Sequence, residues 1–291
     1  MSTTKYGHLV VSELRGPEHV MAKLAEYNKI GKRILWVDSS VVPGSFQMNC
    51  SWYMHSSAVG PMKHVHDVDE VLGFYSSDPD NPYDLGAEVE IFLGDERFVI
   101  DRSVLIYIPA GVPHCPLKLL RVDRPIIHFS EVTSSEYTSK EEGWVSPPPG
   151  GYANHIVTEL KAPPEKLLIA DDYNKYATRI LWLDENVVPG ALHINTSWFR
   201  KASPTLENVP HIHQDDDEII GFIGSDPDNP ADLNGEVEIW LGDEQHIFDR
   251  STMIFVPAGL KHCPLILRRV DRPIFHFTTV PGKRYLKDDV K

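Results

Sequence analysis

Apolar and polar residues alternate along short runs through most of the chain, as in "EVEIFLG" at 88, "RFVIDRSVLIYIP" at 97 and "RPIIHFS" at 124. A period of two sends successive side chains to opposite faces of a strand. Turn residues punctuate these runs, so the pattern predicts an antiparallel all-β protein, a sandwich or a barrel. Helix signals are sparse. "PEHVMAKLAEYNKI" over 17–30 has apolar residues three and four apart, with a weaker echo in "PPEKLLIADDYNKY" over 163–176. Both are expected to be short and peripheral.

The pattern occurs twice. "SSDPDNPYDLGAEVEIFLGDE" at 76 returns as "GSDPDNPADLNGEVEIWLGDE" at 224, and "RILWVDSSVVPG" at 33 as "RILWLDENVVPG" at 179. "IPAGVPHCPLKLLRVDRPIIHF" at 108 returns as "VPAGLKHCPLILRRVDRPIFHF" at 256. Self-similarity on this scale means a duplicated domain. Arg33 and Arg179 are 146 apart, His64 and His211 147, Glu70 and Glu218 148. Two single-residue insertions therefore separate the copies. The join, "SSEYTSKEEGWVSPPPGGYANH", is polar and rich in Pro and Gly, as a linker should be. The reading divides the chain into residues 1–146 and 147–291.

The formal charge of -14 over 291 residues argues against nucleic acid and anionic membranes, which are held by Lys and Arg clusters. The first residues, "MSTTKYGHLVVSELRGPEHV", lack the basic-then-apolar pattern of an export signal, and no run of eighteen apolar residues occurs. Three well-separated cysteines, Cys50, Cys115 and Cys263, suit a reducing compartment. A cytoplasmic protein is expected.

The chemistry concentrates around histidine. His64 and His66 flank Val65, and in a strand that spacing turns both imidazoles to one face. Glu70, an even step further on, would join them in an unbroken strand. In "PAGVPH" the turn residues Pro109 and Gly111 can return His114 to the same place. The second copy offers His211, His213 and His262, but here parity points to Asp217 rather than Glu218. Aligning "EIIGF" with "EVLGF" favours Glu218, with the extra residue as a bulge. Three nitrogens and one carboxylate suit a divalent Fe, Mn, Ni or Zn with coordination positions left open, and do not suit calcium.

Other residues draw a structural reading beside a functional one. His128 and His276, in "RPIIHF" and "RPIFHF", are candidate catalytic groups, though strand histidines are often satisfied within a core. Cys115 and Cys263, each following a ligand histidine, read as packed thiols. Arg124 and Arg272 read as structural ion-pair partners, and the "SDPDNP" loops as rigid turns. On the strand before the metal motif, either Gln47 and Asn49 or Met48 and Cys50 line the pocket.

"HVHDVDE" with "PAGVPH", and "HIHQDDDE" with "PAGLKH", resemble the two metal motifs of the cupin superfamily: His-x-His, three or four residues, Glu, then Pro-x-Gly-x-x-His. Their recurrence resembles a bicupin, a class that includes oxalate decarboxylases and quercetin dioxygenases. The resemblance implies two tandem jelly-roll barrels, each enclosing one metal, with His64, His66, Glu70 and His114 as one ligand set and His211, His213, Glu218 and His262 as the other. It further implies a small oxygen-rich organic substrate and a homo-oligomer. A dioxygenase is narrowly favoured on the frequency of that activity among bicupins. A Lewis-acid lyase, decarboxylase or isomerase is the alternative, and a non-catalytic small-molecule binder the contrast.

Overall fold

The computed structural model describes residues 4–141, 143, 145–164, 173–207 and 209–290. Contacts divide the chain into two units, one of residues Arg15–Glu159 and one of Met1–Leu14 with Leu160–Lys291. Both are jelly rolls built from antiparallel strands.

The Arg15–Glu159 unit contains β1 (Gly31–Val37), β2 (Gln47–Tyr53), β3 (Glu70–Ser76), β4 (Asp84–Leu93), β5 (Glu96–Arg102), β6 (Val104–Ile108), β7 (Lys118–Val122) and β8 (Ile126–Val132). One sheet runs β6-β3-β8-β2-β1, with a short strand Ile156–Val157 beyond β6; the other runs β5-β4-β7. Leu72, Phe74, Val89, Ile91, Ile106, Leu119 and Ile126 fill the core cluster with no more than 5% exposure. Alternation explains the pairing: Val89 and Ile91 of "EVEIF" are buried, while Glu88 and Glu90 lie on the other face and meet Arg121, Arg97 and Lys118. At the centre of β3, Gly73 packs against the Phe129 ring of β8, where any Cβ would collide with it.

The other unit repeats this order. It holds β9 (Ala177–Leu183), β10 (His193–Phe199), β11 (Glu218–Gly224), β12 (Asp232–Leu241), β13 (Glu244–Arg250), β14 (Thr252–Val256), β15 (His262–Val270) and β16 (Ile274–Val280). One sheet runs β14-β11-β16-β10-β9, with a short strand Val10–Val11 beyond β14. The other joins β13, β12 and β15 to the two-residue strands His211–Ile212 and Asp288–Asp289. Gly221 meets Phe277 as Gly73 meets Phe129.

The short edge strands are exchanged relative to the sequence copies. "LVVSEL" at 9 and "HIVTEL" at 155 are equivalent, yet Val10 and Val11 face Ile254 and Met253, whereas Ile156 and Val157 face Ile106 and Leu105. Residues 147–159, read from sequence with the second copy, thus pack with the first barrel, and residues 4–14 with the second.

The helix expected over 17–30 forms as two single turns, α1 (Glu18–Met21) and α2 (Leu24–Tyr27), neither with a side-chain cap at its N-terminus. No residue of either is fully buried, so packing adds little to the weak stability of so short a helix. Its echo over 163–176 falls largely on 165–172, outside the described residues. The "SDPDNP" loops are held by their own side chains: Asp78 and Asp226 accept backbone N–H groups two residues on. Arg124 pairs with Asp84 and Arg272 with Asp226, while the adjacent Asp123 and Asp271 pair with Arg121 and Arg269.

Candidate metal centres

In the Arg15–Glu159 unit the three histidines and the acid expected from sequence meet. One ligand atom each from His64, His66, Glu70 and His114 lie within 4.8 Å of one another. His64 and His114 exchange backbone hydrogen bonds, which bring the two distant segments side by side. In the other unit His211, His213 and His262 form the matching group, with His211 opposite His262 in a ladder. Glu218 Oε2 lies 3.0 Å from His262 Nε2 and 3.4 Å from His213 Nε2.

Each imidazole is oriented through its Nδ1. Backbone carbonyls accept from all six: Met62, Thr138 and Val112 for His64, His66 and His114; Val209, Leu286 and Leu260 for His211, His213 and His262. A proton fixed on Nδ1 leaves Nε2 as a lone pair, the state a metal ligand needs. The buried Nε2 atoms of His66, His114, His213 and His262, and Oε2 of Glu70 and Glu218, have no hydrogen-bond partner. His114 Nε2 and Glu70 Oε2 are only 2.9 Å apart. Two lone pairs facing each other in a buried site require a shared proton or a cation between them. Burial pushes the Glu70 carboxyl up, but His114 and then His66 outweigh it and hold it below its ordinary range. The donor set therefore fits a divalent transition metal in each unit.

The acid reaches the site by a route other than strand parity. Residues 67–69 and 214–217 belong to no strand, and β3 and β11 begin only at Glu70 and Glu218. The extra residue in the second copy is absorbed in this loop rather than in a bulge of a ladder. Asp69 and Asp217 are the brackets: their Oδ1 atoms accept from the N–H of Ala110 and Ala258, tying the loop to the "PAG" turn so that the next residue points inward. Asp217, the competing candidate, is thereby occupied away from the ligand group.

Neither a family model nor a curated protein matches the sequence. Solved structures do match in fold. A point mutant of Bacillus subtilis oxalate decarboxylase superposes with a TM-score of 0.57 at 11% identity, covering 90% of this chain and 75% of that one. A study of the Mn(II) centres of the same enzyme gives 0.55 at 11%, with the same coverage. The formate complex of Lactobacillus farciminis oxalate decarboxylase gives 0.55 at 12%, covering 90% and 84%. The chain has the bicupin fold.

One tyrosine per unit, passed over by sequence reasoning, stands beside each centre of this bicupin. The hydroxyls of Tyr137 and Tyr285 lie 3.3 Å from His64 Nε2 and 3.4 Å from His211 Nε2. Their rings stand edge-on to His66 and His213 at 4.8 Å. Burial pushes the Tyr137 phenol well above its ordinary value, so it is a protonated hydroxyl at the edge of the ligand set. The signal was the repeat register: they are 148 apart, as His114 and His262 are.

The first unit encloses a cavity of about 1110 Å³ that reaches His64, Glu70 and His114. Asn49, Tyr53, His128 and Ser130 line it, so the face carrying Asn49 is the pocket face and the one carrying Met48 and Cys50 is not. His128 stacks between Tyr53 and Phe74 at 4.9 and 4.5 Å, and its Nδ1 donates to the Gly73 carbonyl. Burial, reinforced by the charge of Arg33, lowers its pKa to about 4, so the ring is neutral with Nε2 as an acceptor. His276 repeats the bond to Gly221, and its Nε2 lies 3.4 Å from Thr278 Oγ1. Ser130, which answers Thr278 in the repeat, donates to Glu70 Oε1 instead. Cys115 and Cys263 are buried with φ of 69° and 72°, outside the extended region. Strand alternation thus does not explain their placement, although Cys115 is packed in the core as expected.

Proposed function

We propose that this bicupin is a metal-dependent lyase that decarboxylates a small, oxygen-rich organic acid. The observation that carries the reading is the pair of donor sets, His64–His66–Glu70–His114 and His211–His213–Glu218–His262, in which the buried Nε2 atoms of His66, His114, His213 and His262 and Oε2 of Glu70 and Glu218 have no hydrogen-bond partner. Both sets are whole, which argues for catalysis over a binding module. Solved structures that share the fold include oxalate decarboxylases, which moves the preference from the dioxygenase expected on family frequency to the lyase.

Either donor set would hold a divalent ion, which would supply Lewis acidity toward a substrate oxygen and toward the negative charge that decarboxylation leaves. The chain's own groups do the rest. Ser130 fixes Glu70 through Oε1, and the backbone carbonyls fix the imidazoles, so the donors need no rearrangement on binding. Tyr137 places a protonated hydroxyl beside the substrate position, and neutral His128 offers a hydrogen-bond acceptor on the cavity wall.

The test is turnover of the full chain loaded with Mn²⁺ against a panel of two- to six-carbon oxo and dicarboxylic acids, following carbon dioxide and oxygen together. Carbon dioxide release without net oxygen uptake, lost on chelation and restored by the metal, is expected. Stoichiometric oxygen consumption would establish the dioxygenase instead, and tight binding without turnover the binding module.

A further inference from the structure

The first unit's cavity contains a cation that the donor set does not use. Arg33, on β1, lines the cavity together with Glu70 and His114. Its guanidinium carbon lies 4.5 Å from the centre of the Tyr27 ring and 5.2 Å from that of Trp36. Nη1 donates to Asn49 Oδ1 at 2.6 Å. Stacking on two rings and one short hydrogen bond hold the fork in place, while most of its five N–H donors are left for another partner.

That partner is not a described carboxylate of the unit. Among the described residues no Asp or Glu lies within ion-pair distance of Arg33, whereas Arg97, Arg121 and Arg124 of the same unit pair with Glu90, Glu88 and Asp84. Of the three acids on the cavity wall, Glu26 pairs with Lys29, Glu70 belongs to the donor set, and the exposed Glu141 makes no ion pair with Arg33. A half-buried guanidinium without a counter-charge gains most from an incoming anion, and its planar fork matches a carboxylate. The stack is also built twice: Arg179 lies 5.0 and 5.1 Å from the Tyr173 and Trp182 rings, each residue 146 beyond its counterpart.

Short contacts connect Arg33 to the donor set. Asn49, which accepts from Arg33, donates to the Ser130 carbonyl at 3.4 Å, and Ser130 Oγ donates to Glu70 at 2.9 Å. Leu24, Ile30, Val59, Met62 and Leu117 supply an apolar stretch of wall, while Lys23, Lys29 and Lys63 also line the cavity, the last two paired with Glu26 and Asp95. Val59 and Met62 are 81% and 76% exposed at its edge. About 1110 Å³ is room for a ligand of drug size, far more than a two-carbon acid fills.

We infer that the first cavity takes an amphipathic organic acid, with a carboxylate held on Arg33 and an apolar body against the Leu24, Ile30 and Met62 wall. The inference deepens the proposed lyase reading, which supplies the role of the donor set at the other end of the ligand.

The probes are 3-phenylpropionate and its primary amide, equal in shape and different in charge. Phenylglyoxal modification of the intact wild-type chain, mapped by mass spectrometry, is expected to show Arg33 protected by the acid and not by the amide. Calorimetry in an Arg179→Met background isolates the first unit. There the acid should bind at least about tenfold tighter than the amide, as charge-assisted hydrogen bonds imply. Adding Arg33→Met should bring the two within about twofold while metal content per chain stays the same. Equal modification of Arg33 with and without the acid, absence of acid binding at millimolar concentration, or a preference that survives Arg33→Met overturns the inference. Repeating the protection on chelated protein separates the two readings. Arg33 is not a metal ligand, so protection there with no metal taken up sinks the lyase alone. A loaded protein without protection sinks only this anchor.

Discussion

Glu70 and Glu218 owe their inward aim to the acid just before each of them. Asp69 and Asp217 hold the turn against the N–H of Ala110 and Ala258, and Tyr107 adds a second bond to Asp69. The two acids of each pair should therefore separate on mutation. Glu218→Gln should empty the second centre and leave the first loaded, halving metal per chain by elemental analysis. Asp217→Asn should keep both loaded, with affinity at the second centre lowered by no more than about tenfold, the low end of outer-sphere changes. The histidines were legible because their spacing and recurrence are local facts of the sequence. Glu218 was legible only by aligning the copies, since a turn breaks the parity on which a strand argument depends. Tyr137 and Tyr285 carried no local pattern, and their nearness to the centre is a product of tertiary folding that only the repeat register hinted at.

At the level of elements, a strap closes each centre after the last long strand. Residue 140 bridges to Val65 through two backbone hydrogen bonds, and in the other unit Asp288–Asp289 pairs with His211–Ile212. The strap delivers the Thr138 and Leu286 carbonyls to His66 and His213, and the tyrosines with them. Lys140→Pro removes one of the two bridging bonds by deleting its N–H. It should weaken metal binding at the first centre roughly ten- to a hundredfold, as loss of an orienting partner does, and leave the second unchanged in a metal titration. Affinity that stays at the wild-type value would mean that Thr138 does not orient His66. The long strands were readable from alternation because one face of each is core. The strap was not, because its two-residue ladders are too short to show a period, and the region 17–30 showed helical spacing without the burial that would have made one helix of it.

For the molecule as a whole, the duplication was plain in the sequence and the crossing of the edge strands was not. Equivalent segments occupy equivalent slots, so no pattern distinguishes which barrel each one completes. Val11 and Val157 are nearly fully buried in those slots. A cut at the sequence repeat boundary should therefore behave differently from a cut that follows the packing. Residues 15–159 alone retain the strand that covers β6 and should unfold cooperatively on heating, with a clear midpoint by circular dichroism. Residues 1–146 lack that strand and carry Val10–Val11 with no β14 to receive it, so their midpoint should be lower by several degrees. Equal midpoints would show that the edge strand contributes nothing.

The traded strands also explain why a tandem arrangement suits this molecule. Were each half a separate polypeptide, completing either sheet would depend on encountering a companion, and dilution would undo it. Joined head to tail, each half meets the other's strand at an effective concentration set by the connecting segment. An association step has become part of folding, and separating the halves by proteolysis would restore its dependence on concentration.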